Sequence, residues 1–220
     1  MRMEIRGDIV GNDDKWIYEW LGWEATCPAD LDRAIAEMQT GETLEVHINS
    51  GGGSVFAGQE IYTKLKTRTD VTIEIQSLAG SAAGVIAMAG RSRISPVGMI
   101  MIHNVAMSGA SGDYHDMQKN AEILKQMNEA MASAYVAKSG RPLDEIMKLM
   151  DRETWLTANQ CVKYGFVDEI INESATLTNA CGGMRLTDEI RQRVRAEREQ
   201  KERDTALKDE LLEDLDMYGA

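Results

Sequence analysis

Cationic residues are scarce in this 220-residue chain: 24 Lys and Arg stand against 36 Asp and Glu, a formal net charge of −12. That deficit argues against a nucleic-acid groove, which needs Lys and Arg to neutralise phosphates. Cysteine is scarce too. The three present, Cys27, Cys161 and Cys181, have neither CxxC nor Cys/His ligand spacing, so they read as reduced structural thiols. No metal and no cofactor are expected, and a catalytic role for Cys27 has no local support. No apolar run reaches the roughly 18 to 20 residues of a membrane-crossing helix. The start Met1-Arg2-Met3-Glu4-Ile5-Arg6 lacks the apolar core of a signal peptide. The expectation is a cytoplasmic protein with no nucleic-acid and no membrane partner. Phosphate-loop patterns (GxxxxGK before Ser or Thr, or GxGxxG) are also missing, so the glycines of Gly51-Gly52-Gly53 read only weakly as a phosphate cradle.

With 43% hydrophobic residues the chain can bury a real core, and its length suggests one main domain with some surplus. Met3 to Val10 alternates as a strand and ends in the turn Gly11-Asn12-Asp13-Asp14. Trp16, Ile17, Trp20, Leu21 and Trp23 follow as an aromatic cluster, expected to pack rather than to cage a ligand. Pro28 opens a helix closed by Gly41, and Leu44, Val46 and Ile48 mark the next strand, with His47 on its other face. Asn49 to Ser54 then reads as a glycine turn that bares backbone N–H groups. Val71 to Ile75 is a strand, Ala82 to Ala89 a tightly packed helix, and Ser92–Ser95 and Met99–Ile102 are short strands. Alternation of strand and helix through the first hundred residues is the pattern of a layered α/β fold. A long helix is predicted over 114–138, with Met117, Ala121, Leu124, Met127, Met131 and Tyr135 in a stripe suited to subunit contacts. Thr157 and Gln160 form a capping box for a later helix, and Phe166, Val167 and Ile170 suggest a last strand. Domain bounds are expected at 1–172, with a linker over 173–184 and a charged helical or partly disordered extension over 185–220. That extension holds eight Lys and Arg and eleven Asp and Glu between Arg185 and Asp216.

Ser81, in Leu78-Ala79-Gly80-Ser81-Ala82-Ala83-Gly84, falls where a strand hands over to a helix. Backbone N–H groups at a helix start have no intrahelical partner, so an oxyanion formed by attack of Ser81 on a carbonyl would meet donors there. A plain N-cap serine fits the same position. A serine hydroxyl needs a base, and only His47, His103 and His115 are available. His103 is the best placed, at the end of an apolar strand. His47 and His115 read as solvent-facing.

Asn49-Ser50-Gly51-Gly52-Gly53, Ala79-Gly80-Ser81-Ala82-Ala83, Met101-Ile102-His103-Asn104 and Trp155-Leu156-Thr157-Ala158 through Tyr164-Gly165-Phe166-Val167-Asp168 occur in that order. Together they resemble the Clp protease proteolytic subunit family, especially its phage and prophage branch, over about residues 3 to 171. The resemblance implies a Clp/crotonase-like α/β fold of repeated β-β-α units with a long protruding interface helix. It implies a serine endopeptidase without cofactor: Ser81 the nucleophile, His103 the general base, and the amides of Gly53 and Ala82 the oxyanion hole. Gly51 stands where the family has proline. Glu153 stands where the family has its aspartate, with Asp151 and Asp168 as alternatives for the third member of the triad.

Implied partners are protein or peptide substrates and copies of the chain itself in a homo-oligomeric ring, a heptamer or stacked rings. The family's leading segment has no counterpart before Met3. The expectation is thus a head-maturation protease cutting phage scaffold or capsid protein, with an AAA+ ATPase-coupled degradation subunit as the competitor. An acyl-CoA enzyme of the same fold and an inactive scaffold subunit are the further alternatives.

Overall fold

The computed structural model describes residues 1–171 and, beyond them, Arg203. The expected linker and charged extension lie outside the described residues.

The central sheet is parallel, in the order β2 (Ala25–Thr26), β1 (Arg2–Ile9), β3 (Leu44–Gly53), β4 (Val71–Gly80), β5 (Arg91–Ile94), β8 (Glu169–Ile170). Parallel strands need crossover connections, and these come from α1 (Lys15–Leu21), α2 (Pro28–Ala36), α3 (Val55–Lys66) and α4 (Ala82–Ala87). The core is aliphatic, with Ile5, Leu31, Leu44, Val46, Ile48, Ile61, Leu65 and Ile75 all at 0% exposure. Gly58 lets α3 approach α4, since a Cβ there would lie 2.9 Å from Ala82 Cβ.

β4 is the pivot of the molecule. Its first half pairs with β5, Thr72–Ile75 against Arg91–Ile94, while Leu78–Gly80 pairs with Met99–Met101 of β6 (Met99–Ile102). A register shift against β3, between Ile48↔Ile75 and Ser50↔Ala79, marks where the strand changes partners. β6 in turn pairs antiparallel with β7 (Thr154–Thr157). α5 (Tyr114–Ser139), α6 (Leu143–Asp151) and α7 (Ala158–Tyr164) complete the described elements. Thr157 N–H donates to Gln160 Oε1 at 2.9 Å, the expected capping contact.

Several expectations change in detail. The glycine run is the end of β3 rather than a turn after it, with Gly52 and Gly53 in register with Asp8 and Ile9 of β1. β4 likewise continues to Gly80, directly before Ser81. The last strand shrinks to two residues, with Phe166 and Val167 buried ahead of it. His47 is 7% exposed, not solvent-facing, because β3 is an inner strand and its neighbours Glu4 and Glu74 flank it. Gln76 Nε2 lies 2.8 Å from its Nδ1. The aromatic cluster does not pack into the core: no residue of α1 is buried, and Trp23, just after it, is exposed and meets Tyr18 edge-on at 6.1 Å between centroids. That helix is tied down by polar contacts instead, Lys15 to Asp30 (3.0 Å) and to the Ala25 carbonyl, and Tyr18 to Asp8 (3.1 Å). Of the α5 stripe, Met131 and Tyr135 are buried, while Met117 and Ala121 in the first turns are exposed.

Candidate active site

Strand register alone brings the candidate residues together. Gly80 pairs with Met101, so Ser81 and His103 emerge from the adjacent ends of β4 and β6. Ser50 pairs with Ala79, which carries Gly52 level with Ser81. His103 Nε2 lies 2.8 Å from Ser81 Oγ, within hydrogen-bond reach of a base for its nucleophile.

Ser81 does not cap its helix. Its side chain makes no capping bond, and its backbone sits at φ 52°, ψ −122°, a region that side-chain-bearing residues seldom occupy. Such a conformation costs on the order of 1–3 kcal/mol and persists only where the surroundings enforce it. Here they do. Ser81 N–H donates to the Met101 carbonyl at 2.9 Å, and the Ser81 carbonyl accepts Val85 N–H at 3.2 Å. All six residues of α4 are buried. The hydroxyl is thereby aimed away from α4's capping position and toward His103.

The glycine strand packs against this turn as tightly as backbone allows. Gly52 has φ 105°, and a Cβ there would fall 2.6 Å from Ser81 Cβ and 2.8 Å from the Gly80 carbonyl oxygen. Ser50 fixes the approach, donating to the Gly7 carbonyl at 2.6 Å and accepting Gly52 N–H at 3.1 Å. Ala82, the first helical residue after Ser81, is fully buried; its N–H precedes the intrahelical ladder.

A cavity of about 320 Å³ opens beside the pair. Gly51, Gly53, Ser81 and His103 line it, together with the apolar side chains of Val55, Val85, Met101, Val105, Met131 and Met150. Tyr135 closes it; burial raises the Tyr135 phenol above its ordinary range, so it stays protonated. Gly84 makes room for that ring, since a Cβ there would meet the Tyr135 hydroxyl at 2.5 Å. Of these lining groups only the glycines, Ser81, Met101 and His103 belong to a recognisable motif. Tyr135 and Met131 carried a signal as part of the α5 stripe, but Val55, Val105 and Met150 come from separate elements with none.

The three carboxylates are less closely gathered. Glu153 is exposed and takes the indole N–H of Trp155 at 3.3 Å. Asp151 accepts Asn104 Nδ2 at 2.9 Å, one residue from His103. Asp168 lies with Lys138 (2.6 Å) and Ser92 N–H (2.7 Å). Burial works against its charge, yet these two donors hold its carboxyl below the usual range. Among the described residues no carboxylate bonds to His103. His115 is exposed and stacks on Tyr114 at 3.8 Å between centroids, far from this chemistry in role. Cys27 and Cys161 are buried free thiols, the latter pushed up to about 11 by burial, so neither offers a thiolate.

A family model described as Clp protease matches residues 34–174, which span β3 to β8 and every residue of the cavity. This chain belongs to the Clp protease family. It is 32% identical over 139 residues to the ATP-dependent Clp protease proteolytic subunit of Bacteroides fragilis, covering 61% of this chain and 66% of that one. The corresponding subunit of Porphyromonas gingivalis is 29% identical over 138 residues, covering 61% and 62%. Subunit 3 of Rhodococcus jostii is 34% identical over 163 residues, covering 67% and 80%. The chain therefore spans slightly less than two thirds of the Bacteroides and Porphyromonas subunits. Among the described residues of this Clp-family chain no helix is long and apolar enough to cross a membrane, and no cluster of His, Cys, Asp and Glu could hold a metal ion.

Proposed function

We propose that this chain is a serine endopeptidase. The observation that carries the reading is the 2.8 Å contact of Ser81 Oγ with His103 Nε2 at an apolar cavity, on a backbone held in a strained conformation. His103 takes the Ser81 proton as Oγ attacks the peptide carbonyl, then gives it to the leaving amine. A water deprotonated by His103 hydrolyses the resulting acyl ester and returns both residues to their starting state. The amides of Gly53 and Ala82 are the proposed donors to the oxyanion. Glu153 is the proposed orienting carboxylate and has to turn from Trp155 to act; Asp151 competes for the role through Asn104. Asp168 is committed to Lys138. The valine and methionine lining favours an apolar side chain on the residue ahead of the scissile bond.

The reading extends to a homo-oligomeric ring, heptameric or stacked, supported by the exposed first half of α5 with Met117 and Ile123. Cleavage of phage scaffold or capsid protein is the proposed setting, from the motif resemblance to the phage branch, ahead of coupling to an AAA+ ATPase. The deciding experiment is labelling by a serine-reactive fluorophosphonate. Wild-type protein takes one label, Ser81→Ala takes none, and His103→Ala reacts far more slowly. Equal labelling of Ser81→Ala overturns the proposal.

A further inference from the structure

α1 and the Trp23 that follows it form a surface that the proposed peptidase site does not explain. Trp16, Trp20 and Trp23 are 64%, 80% and 54% exposed, with Ile17 and Leu21 beside them at 37% and 42%. The four-residue spacing puts Trp16 and Trp20 on one helix face. Indoles held in water this way forgo a large burial gain, and a patch of them marks a contact site. Around them stand Asp8, Asp13, Asp14, Glu19 and Glu24, none of which forms an ion pair among the described residues. Lys15, the lone cation between Asp8 and Asp30, is spent on Asp30 and the Ala25 carbonyl.

A cavity joins α1 to the strand end that lines the candidate site. This second cavity, about 430 Å³, has Asp8, Asp14, Ile17 and Tyr18 on one side and Gly53 and Ser54 on the other. Gly53 also lines the cavity of Ser81 and His103. Gly53 is thus common to the candidate site and to the cavity beside α1.

We propose that α1 and the cavity beside it dock Lys- or Arg-bearing segments of the polypeptide being cleaved, an inference that rests on the peptidase reading. Indole faces attract guanidinium and ammonium groups, and the unpaired carboxylates supply the matching charge. A purely apolar partner has no use for carboxylates that carry no ion pair, of which, among the described residues, only Asp8 has a partner, the Tyr18 hydroxyl. A second copy that met this patch with its own α1 would set the same carboxylates against one another.

The test uses full-length Ser81→Ala protein and fluorescein-labelled peptides of equal length, one with Lys and Arg at alternate positions and one with Glu there. Anisotropy should show the basic peptide binding about tenfold or more tightly, with the preference weakened by salt. Trp16→Ala/Trp20→Ala and, separately, Asp14→Asn/Glu19→Gln should each erase most of that preference; the second pair carries the test if the first misfolds. Because nothing is cleaved, this result is independent of fluorophosphonate labelling. Equal binding of the two peptides overturns the proposal, as does binding that both variants leave unchanged. A fall in oligomer mass by light scattering in either variant identifies a subunit contact and also overturns it. Wild-type protein should show a higher kcat/KM for the basic peptide; no such preference, in an enzyme that does cleave, removes the link to substrate reading.

Discussion

Two short helices of this chain, α4 and α1, are built to opposite rules. Every residue of α4 is buried, and its Ala-Ala-Gly-Val-Ile-Ala sequence is nearly all small so that β3, α3 and Tyr135 can close on it. α1 buries none of its seven residues, although they include two tryptophans, an isoleucine and a leucine. Hydrophobicity alone therefore does not decide which helix lies inside. Small side chains let α4 fit between close-packed backbones, a space that would not admit indoles. The buried helix can hold Ser81 in a conformation that costs energy, because its surroundings cannot relax. The exposed helix has no such duty and presents its apolar groups outward.

Four outcomes would sharpen or break that contrast. The largest concerns the reaction: His103→Ala should lower kcat/KM for a peptide substrate by on the order of 10⁴-fold, since nucleophile and base act as a unit. Turnover within tenfold of wild type, in a protein shown to cleave, breaks the assignment of the base. Gly52→Ala comes next. The new Cβ meets Ser81 Cβ at 2.6 Å at a positive φ, so about 3 kcal/mol of stability should go, measured by urea denaturation, together with fluorophosphonate labelling. Stability lost without loss of labelling would show that the turn is not held from the β3 side.

Asp168→Asn tests a smaller, electrostatic fastening of α5 to β5. The folded-state pKa of Asp168 lies below the ordinary carboxylate value of about 3.9. Its pairing with Lys138 thus stabilises the fold above that value and is lost as pH falls through the folded pKa. The pair is partly exposed, so about 1 kcal/mol is expected, or about 2–4 °C in Tm at pH 7. The gap between variant and wild type should close below about pH 4. A gap that persists in acid assigns the effect to something other than the ion pair. Smallest of all, Trp16→Ala/Trp20→Ala should change stability by less than about 0.5 kcal/mol per site. A larger loss would mean that α1 does carry core weight.

The two residues that the structure brings within 2.8 Å, Ser81 and His103, stood out in the sequence because their signals are local. A run of small residues between an alternating strand and a packed helix marks Ser81, and a histidine ending an apolar strand marks His103. Neither needs knowledge of the fold to be noticed. A choice among the carboxylates was not legible in the same way, because Asp151, Glu153 and Asp168 lie within eighteen residues and differ only in what reaches them across space. His47 shows the same gap. Alternation places it correctly on the face opposite Val46 and Ile48, yet its burial depends on β1 and β4 flanking it.

What the sequence determined by itself was the longer elements and the chemistry of their ends, but not α1, β2 or β7, since periodicity, small-residue runs and caps act over a few residues. Tertiary structure alone decided the register Ser50↔Ala79 and Gly80↔Met101, which sets Gly52, Ser81 and His103 at one level. It also decided which helix is buried. Both depend on how separate strands and helices meet, and the free energy of those contacts belongs to pairs of residues tens of positions apart.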